Sequence, residues 1–304
     1  MRKVVIIGAG HVGSHCGYAL AHSGIADEII LVDVDKDKAT AQALDIADSV
    51  SFCERETLVR SGDYKECEDA ALVVVAIGEA RKPGQTRLDL LGSSVKMSGR
   101  LIEQLKPYKI SGVVVTITNP ADIVADFIRK GLGLDRSKVF GTGTLLDTAR
   151  LIRTLSEESG VARSSIQAFS LGEHGDSSMI PFSSVTIGGL PFEAYDISKE
   201  KVLEATRQIG MTIIEGKKST EFGIGRALTE MAACILRDER KIMPASVLLQ
   251  GEYGQHHVHC GVPCLIGKNG IEKIIELPLT EEEQRMFNKS CEVIKKHIKM
   301  ASEA

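Results

Sequence analysis

The sequence predicts an α/β protein: a doubly wound parallel sheet, with a mixed α+β region behind it. Three observations carry this reading. Short apolar runs rich in β-branched residues recur through the first half, at residues 4–7, 29–32, 72–77 and 113–118. Helical patterns separate them, such as 93–106 and 121–130. Beyond about Thr142 the alternation stops and longer helices and extended segments take over. Strands that alternate with helices argue for a parallel sheet covered on both faces.

The first run leads straight into Gly8-Ala9-Gly10-His11-Val12-Gly13, and a helix rich in small residues continues to about Ser23. The next run ends at Asp33, 20 positions beyond Gly13. A GxGxxG motif is weak alone, but strand, glycine turn, helix, strand and terminal acid together form a specific context. The glycines permit a tight turn and close approach to a pyrophosphate, and the helix start offers free N–H groups. Asp33 can accept hydrogen bonds from ribose hydroxyls and would repel a 2′-phosphate, so NAD is expected over NADP. The first half therefore reads as a Rossmann-type domain. A weaker strand at 138–140 completes it.

After that, Leu145–Ser159 reads as a long helix. Residues 168–171 follow, then a hairpin over 185–192 turning at Gly188-Gly189. Helices are expected over Lys199–Lys217 and 220–237, extended segments over 245–277, and an amphipathic helix over 281–300. The expected division is a nucleotide domain, 1–141, and a substrate domain, 142–304.

Composition narrows the function. The formal charge is −4 with no basic run, so nucleic acid is not an expected partner. No stretch approaches the ~20 apolar residues of a membrane span. The first strand starts too early for a targeting peptide, and seven cysteines without a CxxC pair suit a reducing cytoplasm. His256, His257, His259, Cys260 and Cys264 cluster in sequence but match no zinc spacing. Alternating His257 and His259 suggest side chains on one strand face, and no metal is expected.

The chemistry centres on Leu171-Gly172-Glu173-His174-Gly175-Asp176-Ser177. Histidine can give and take a proton near neutrality. The glycines around His174 would let a substrate approach the ring.

Several motifs in order resemble the lactate/malate dehydrogenase family, its lactate-dehydrogenase-like branch above all. They are the glycine turn with Asp33, Arg81-Lys82-Pro83-Gly84-Gln85-Thr86-Arg87, Thr118-Asn119-Pro120, Gly141-Thr142-Gly143-Thr144-Leu145-Leu146-Asp147-Thr148-Ala149-Arg150, the His174 run and Glu276-Leu277-Pro278-Leu279-Thr280. The resemblance implies reduction of a 2-keto acid, or oxidation of a 2-hydroxy acid, with NAD. His174 would be the acid/base, and Asp147 would hold its other ring nitrogen. Arg150 would clamp the substrate carboxylate. Asn119 would bond the reacting oxygen, and Arg87 would close over it from a mobile loop. Gly8, Gly10, His11, Val12, Gly13, Asp33, Gly78 and Asn119 would meet the cofactor.

Arg81 occupies the position where lactate-specific relatives usually carry glutamine and malate-specific ones arginine. A guanidinium would pair with the second carboxylate of oxaloacetate but stay unpaired against the methyl of pyruvate. Such an unmatched charge costs roughly 2–5 kcal/mol. Malate/oxaloacetate is therefore the first expectation, with lactate/pyruvate or a broader 2-keto acid range as the alternative. Thr220 and Ile224 resemble a lactate-type pocket wall, and Glu79 could neutralise Arg81. Ile152 and Gln167 replace the cationic and donor groups of fructose 1,6-bisphosphate-activated relatives, so no such activation is expected. By resemblance the chain forms a homo-oligomer, a tetramer or a dimer. A non-catalytic NAD-binding protein would keep the glycine turn but need no His174, Asp147 and Arg150 together.

Overall fold

The computed structural model describes residues 1–78 and 87–302. The first half gives β1 (Lys3–Ile7), β2 (Glu28–Val32), β3 (Leu58–Ser61), β4 (Leu72–Val75), β5 (Val113–Thr116) and β6 (Val139–Gly141). Between them run α1 (His11–Ser23), α2 (Lys36–Ser49), α3 (Arg87–Leu105) and α4 (Ala121–Leu132). All six strands are parallel.

The continuous apolar runs are explained by burial on both faces. Val4, Ile6, Ile29, Leu31, Val74 and Val115 enter one core cluster. Their neighbours Val5, Ile7, Ile30, Val32, Val75 and Val114 enter another across the sheet. This period of two is the strand's own, and each fully buried Val, Leu or Ile stabilises by about 1.5–3 kcal/mol.

Helix α5 (Leu145–Ser159) opens the second half. A small sheet follows, β7 (Ile166–Gln167), β8 (Thr186–Ile187) and β9 (Leu190–Pro191), with the β8–β9 turn at Gly188 and Gly189 as expected. Helices α6 (Lys199–Lys217) and α7 (Phe222–Arg237) come next, then β10 (Lys241–Gln250), β11 (His256–Gly267), β12 (Gly270–Ile274) and α8 (Glu281–Ser302).

The last three strands do not form a separate sheet. Among the described residues, nine strands run in the order β12-β11-β10-β6-β5-β4-β1-β2-β3. β10 joins β6 antiparallel through Ser246 opposite Gly141. This seam matters because it brings Ser246 of the second half to the first turn of α4.

Two elements had no strong sequence signal. Helix α2 buries only Ala39, Ala43 and Ile46, and edge strand β3 buries only Val59. Residues 168–171 lie beyond β7, which ends at Gln167, and Leu171 makes an isolated bridge to Met179.

The histidine cluster is corrected too. The pairing slips between Leu249 and Gln250, and the bulged residue is His257, at φ +58°. The extra residue breaks the alternation. His256 and His257 are exposed, whereas His259 is fully buried. The two do not share a face.

Candidate active site

The strand order reverses at β1, with β2 on one side and β4 on the other. A crevice outside the carboxyl ends of the strands forms at such a point. Gly8 follows β1 with φ +106°, and a Cβ there would lie 2.4 Å from the Ala76 carbonyl oxygen beyond β4. Gly13 is tighter still, since its Cβ would overlap the Gly8 carbonyl. Gly10, by contrast, has open space where a Cβ would go, as does Gly78.

Helix α1 starts at His11 with Gly10 as its cap residue, no side-chain cap and no acid in its first turn. Its first N–H groups therefore have neither a capping oxygen nor a competing negative charge. His11 is exposed and Val12 half-buried. The Asp33 carboxylate accepts hydrogen bonds from Ala9 N at 2.7 Å and Asp35 N at 3.0 Å. Those bonds, with Lys38 nearby, hold its pKa down although burial opposes them. Lys38 Nζ is a third donor to it at 3.4 Å, so of a carboxylate's about four acceptor sites one is left for a ribose hydroxyl. A glycine cradle, an uncapped helix start and a fixed carboxylate fit a dinucleotide.

The proton-handling residues meet at the second-half side of this crevice. His174 Nδ1 lies 2.6 Å from Asp147 Oδ2, in the first turn of α5. Asp147 Oδ1 accepts from Arg150 Nη1 at 3.0 Å, one helical turn on. The Asp147 and Arg150 side chains are 12% and 13% exposed, and the His174 ring 21%. The ring is thus held on its Nδ1 side, and Nε2 is the nitrogen not engaged by Asp147. The Asp147 charge raises the His174 pKa, outweighing the opposing effect of burial. Burial pushes Asp147 up, but His174 and Arg150 together hold it below the usual carboxylate value.

Asn119 is exposed at the end of β5, and its carbonyl accepts from Ser94 Oγ at 2.8 Å. Thr220 stands half-buried between α6 and α7. A Cβ on Gly223 would lie 2.9 Å from Leu146, which brings that stretch against the start of α5. Ile224 is buried on α7. Arg81, Glu79 and the side chain of Arg87 lie outside the described residues.

Three features escaped the sequence reading. Asp122, on α4, accepts a hydrogen bond from His174 N at 3.0 Å and one from Ser246 Oγ at 2.5 Å. Gly210, on α6, has the Arg150 guanidinium 3.2–3.5 Å from where its Cβ would be. Ser290, on α8, accepts from Glu173 N at 2.8 Å. A glycine inside a helix and a serine near a C-terminus carry no distinguishing pattern.

The glycines around His174 also have another purpose than expected. Gly172, at φ +92°, lies where a Cβ would strike Ser290 Oγ, and a Cβ on Gly175 would meet the Glu173 carboxylate. They let the loop dock on α8 and fold back over Glu173.

Comparison with known proteins agrees with this architecture. Residues 2–141 match the model of the lactate/malate dehydrogenase NAD binding domain. Residues 144–304 match that of the lactate/malate dehydrogenase alpha/beta C-terminal domain. The chain is 38% identical to L-lactate dehydrogenase 3 of Bacillus anthracis over 307 residues, covering 98% of this chain and 97% of the other. It is 41% identical to an L-lactate dehydrogenase of Fusobacterium nucleatum subsp. nucleatum over 310 residues, covering 98% and 96%. Among solved structures, the ligand-bound minor L-lactate dehydrogenase of Enterococcus mundtii superposes with a TM-score of 0.95 at 36% identity, over 98% of both chains. The lactate dehydrogenase of Cryptosporidium parvum, complexed with lactic acid and nicotinamide adenine dinucleotide, gives 0.94 at 29% identity, over 100% of this chain and 98% of the other.

Proposed function

Since the chain belongs to the lactate/malate dehydrogenase family, we propose that it interconverts an L-2-hydroxy acid and its 2-keto acid with NAD, and that the pair is lactate and pyruvate. The carrying observation is the His174–Asp147–Arg150 arrangement, one proton-transfer group and one carboxylate-binding group fixed to the same aspartate. End-to-end likeness to several L-lactate dehydrogenases supports lactate within that chemistry.

The cofactor would lie along Gly8, Gly10, His11, Val12 and Gly13, with Asp33 on its ribose and Gly78 and Asn119 beside it. Bound NADH supplies the hydride. Residues 1–141 would hold it, and residues 142–304 would supply the acid/base and carboxylate-binding groups. His174 delivers a proton from Nε2 to the carbonyl oxygen, and Asp147 stabilises the imidazolium beforehand. Arg150 orients the substrate carboxylate through paired charge-assisted hydrogen bonds. Asn119 and Arg87 bear on the reacting oxygen as negative charge develops. Thr220 and Ile224 border the substituent end. Seven free cysteines fit a cytoplasmic location, and a homo-oligomer, tetramer or dimer, belongs to the same proposal.

A second reading, malate and oxaloacetate, is favoured by one residue, Arg81. NADH oxidation with pyruvate and oxaloacetate side by side decides between them. A higher kcat/KM for pyruvate supports the proposal. A large advantage for oxaloacetate, abolished in Arg81→Gln, replaces it with the second reading. Turnover of neither, nor of bulkier 2-keto acids, overturns both.

A further inference from the structure

His174 is gripped twice, by its ring and by its main chain. Asp147 on α5 holds the imidazole. Asp122, in the first turn of α4, holds the backbone N–H of the same residue and ties it to β10 through Ser246. Asp122 is 3% exposed, and no lysine or arginine pairs with it among the described residues. A buried carboxylate without a cation is costly, so its presence calls for a reason.

We infer that Asp122 is a positioning residue for His174: a buried carboxylate that fixes the main chain bearing the imidazole and keeps negative charge behind it. This rests on the acid/base part assigned to His174 above.

The hydrogen bonds favour the ionised form. Both partners donate to Asp122, one from a peptide N–H and one from a hydroxyl. A proton on Oδ2 would set a hydroxyl against the His174 N–H, which cannot accept; a proton on Oδ1 is tolerated only if Ser246 rotates to receive it. Burial is the largest influence and pushes Asp122 up to about 6, against the pull of Ser246, the His174 N–H and the imidazole. Asp122 in turn raises the His174 pKa, as a smaller contributor than Asp147.

The remaining groups around the ring do not duplicate this effect. Arg150 on α5 opposes it. Glu173 adjoins the ring in sequence but is engaged by Ser177 and faces His297 of α8 at 3.8 Å. Asp126, one turn along α4, is occupied by Lys130 and lies against His259 of β11. Burial lowers the His259 pKa, which keeps that ring neutral. The Cys260 thiol of β11 is pushed well above its usual range by burial and is also neutral.

The test separates charge from support. In Asp122→Asn the amide oxygen can still accept from His174 N while its NH₂ donates to a rotated Ser246 hydroxyl, so geometry is kept and charge removed. Ser246→Ala keeps the carboxyl group, removes one support and lets the Asp122 pKa rise further. His174 is followed by NMR in histidine-labelled protein, together with the pH profile of NADH-dependent pyruvate reduction. In Asp122→Asn the imidazole midpoint and the alkaline limb of kcat/KM are expected to move together to lower pH. Activity on the alkaline side should fall with the protonated fraction, tenfold for each pKa unit by which the midpoint moves. Ser246→Ala should move the midpoint less. An unmoved midpoint in a folded Asp122→Asn protein overturns the inference. Should that variant not fold, the wild type carries the test. The His174 amide resonance must then report the Asp122 titration, and the ring resonance must respond at the same step. A ring indifferent to that step overturns the inference equally. The NMR readout needs no turnover, so a chain inactive on every 2-keto acid would sink the proposed function and leave this measurement decisive on its own.

Discussion

Asp147→Asn is the sharpest test of the proposed chemistry, because one aspartate serves both partners through different oxygens. Oδ2 faces His174 Nδ1 at 2.6 Å, and Oδ1 faces Arg150 Nη1 at 3.0 Å. Asparagine has one acceptor end and one donor end. If its oxygen faces Arg150, its NH₂ faces Nδ1, and the neutral ring must then carry its proton on Nε2, the wrong tautomer for accepting one there. If its oxygen faces His174, its NH₂ confronts the Arg150 donors. Either way the charge that stabilises the imidazolium is gone. Breaking a buried charge pair from one side costs about 3–5 kcal/mol. The ring here is 21% exposed, so the lower end applies. That is about a hundredfold or more in kcat/KM for 2-keto acid reduction. The pH profile gives the sign. Asp147 raises the His174 pKa, and reduction needs the protonated ring. Wild-type activity should therefore hold on the acid side and fade as pH rises through the raised pKa, and the variant should fade earlier. The assay is NADH consumption across roughly pH 5–9, the span in which histidine charge changes, with NADH affinity measured by fluorescence as the control. A kcat/KM within a few-fold of wild type and an unshifted alkaline limb would refute the reasoning.

Other expectations follow from the same geometry. Gly13→Ala, whose Cβ would collide with the Gly8 carbonyl, should weaken NADH binding at least tenfold, measured by fluorescence titration. Arg150→Leu should raise the 2-keto acid KM steeply and lower kcat, and steady-state kinetics with unchanged KM would remove Arg150 as the carboxylate clamp. Gly210→Ala should stabilise α6 by about 0.5–1 kcal/mol yet raise that KM by displacing the Arg150 guanidinium; calorimetry and kinetics read the two effects separately. Asp122→Asn should also change stability. The Asp122 pKa rises from 3.8 to about 6 on folding, so the folded chain holds that proton more tightly and its contribution declines as pH climbs between those values. Removing the charge should gain up to about 3 kcal/mol at neutral pH, and denaturant titrations should show the gain vanishing below about pH 4.

The parallel half of the fold was legible because both faces of its strands are buried. Runs such as Val4-Val5-Ile6-Ile7 are unbroken where a half-exposed strand would alternate. Helices Leu145–Ser159 and Lys199–Lys217 could be bounded to the residue because glycine or serine marks an end of each: Gly160 closes α5 in a left-handed conformation, and Ser198 caps α6. What could not be read was lateral. The antiparallel strands β10–β12 extend the first-half sheet, and a single register pair, Ser246 with Gly141, makes the join. No local pattern encodes such a pairing. The His257 bulge was hidden for a related reason: alternation in sequence predicts a shared face only while the register is unbroken.

The candidate site divides along the same line. His174, Asp147 and Arg150 were visible because residue type, motif and neighbours coincide. Asp122 was not, although it touches His174 directly. An aspartate in the first turn of a helix is ordinary, since the helix dipole favours it there. Only the fold shows that β10 and the His174 loop close over it and remove it from water. Burial then reverses the inference drawn from sequence, because a residue that would support its helix at the surface is destabilising inside. A charge kept at the expense of stability, and bonded to the main chain of the acid/base residue, is better explained by the chemistry of that residue than by the folding of α4.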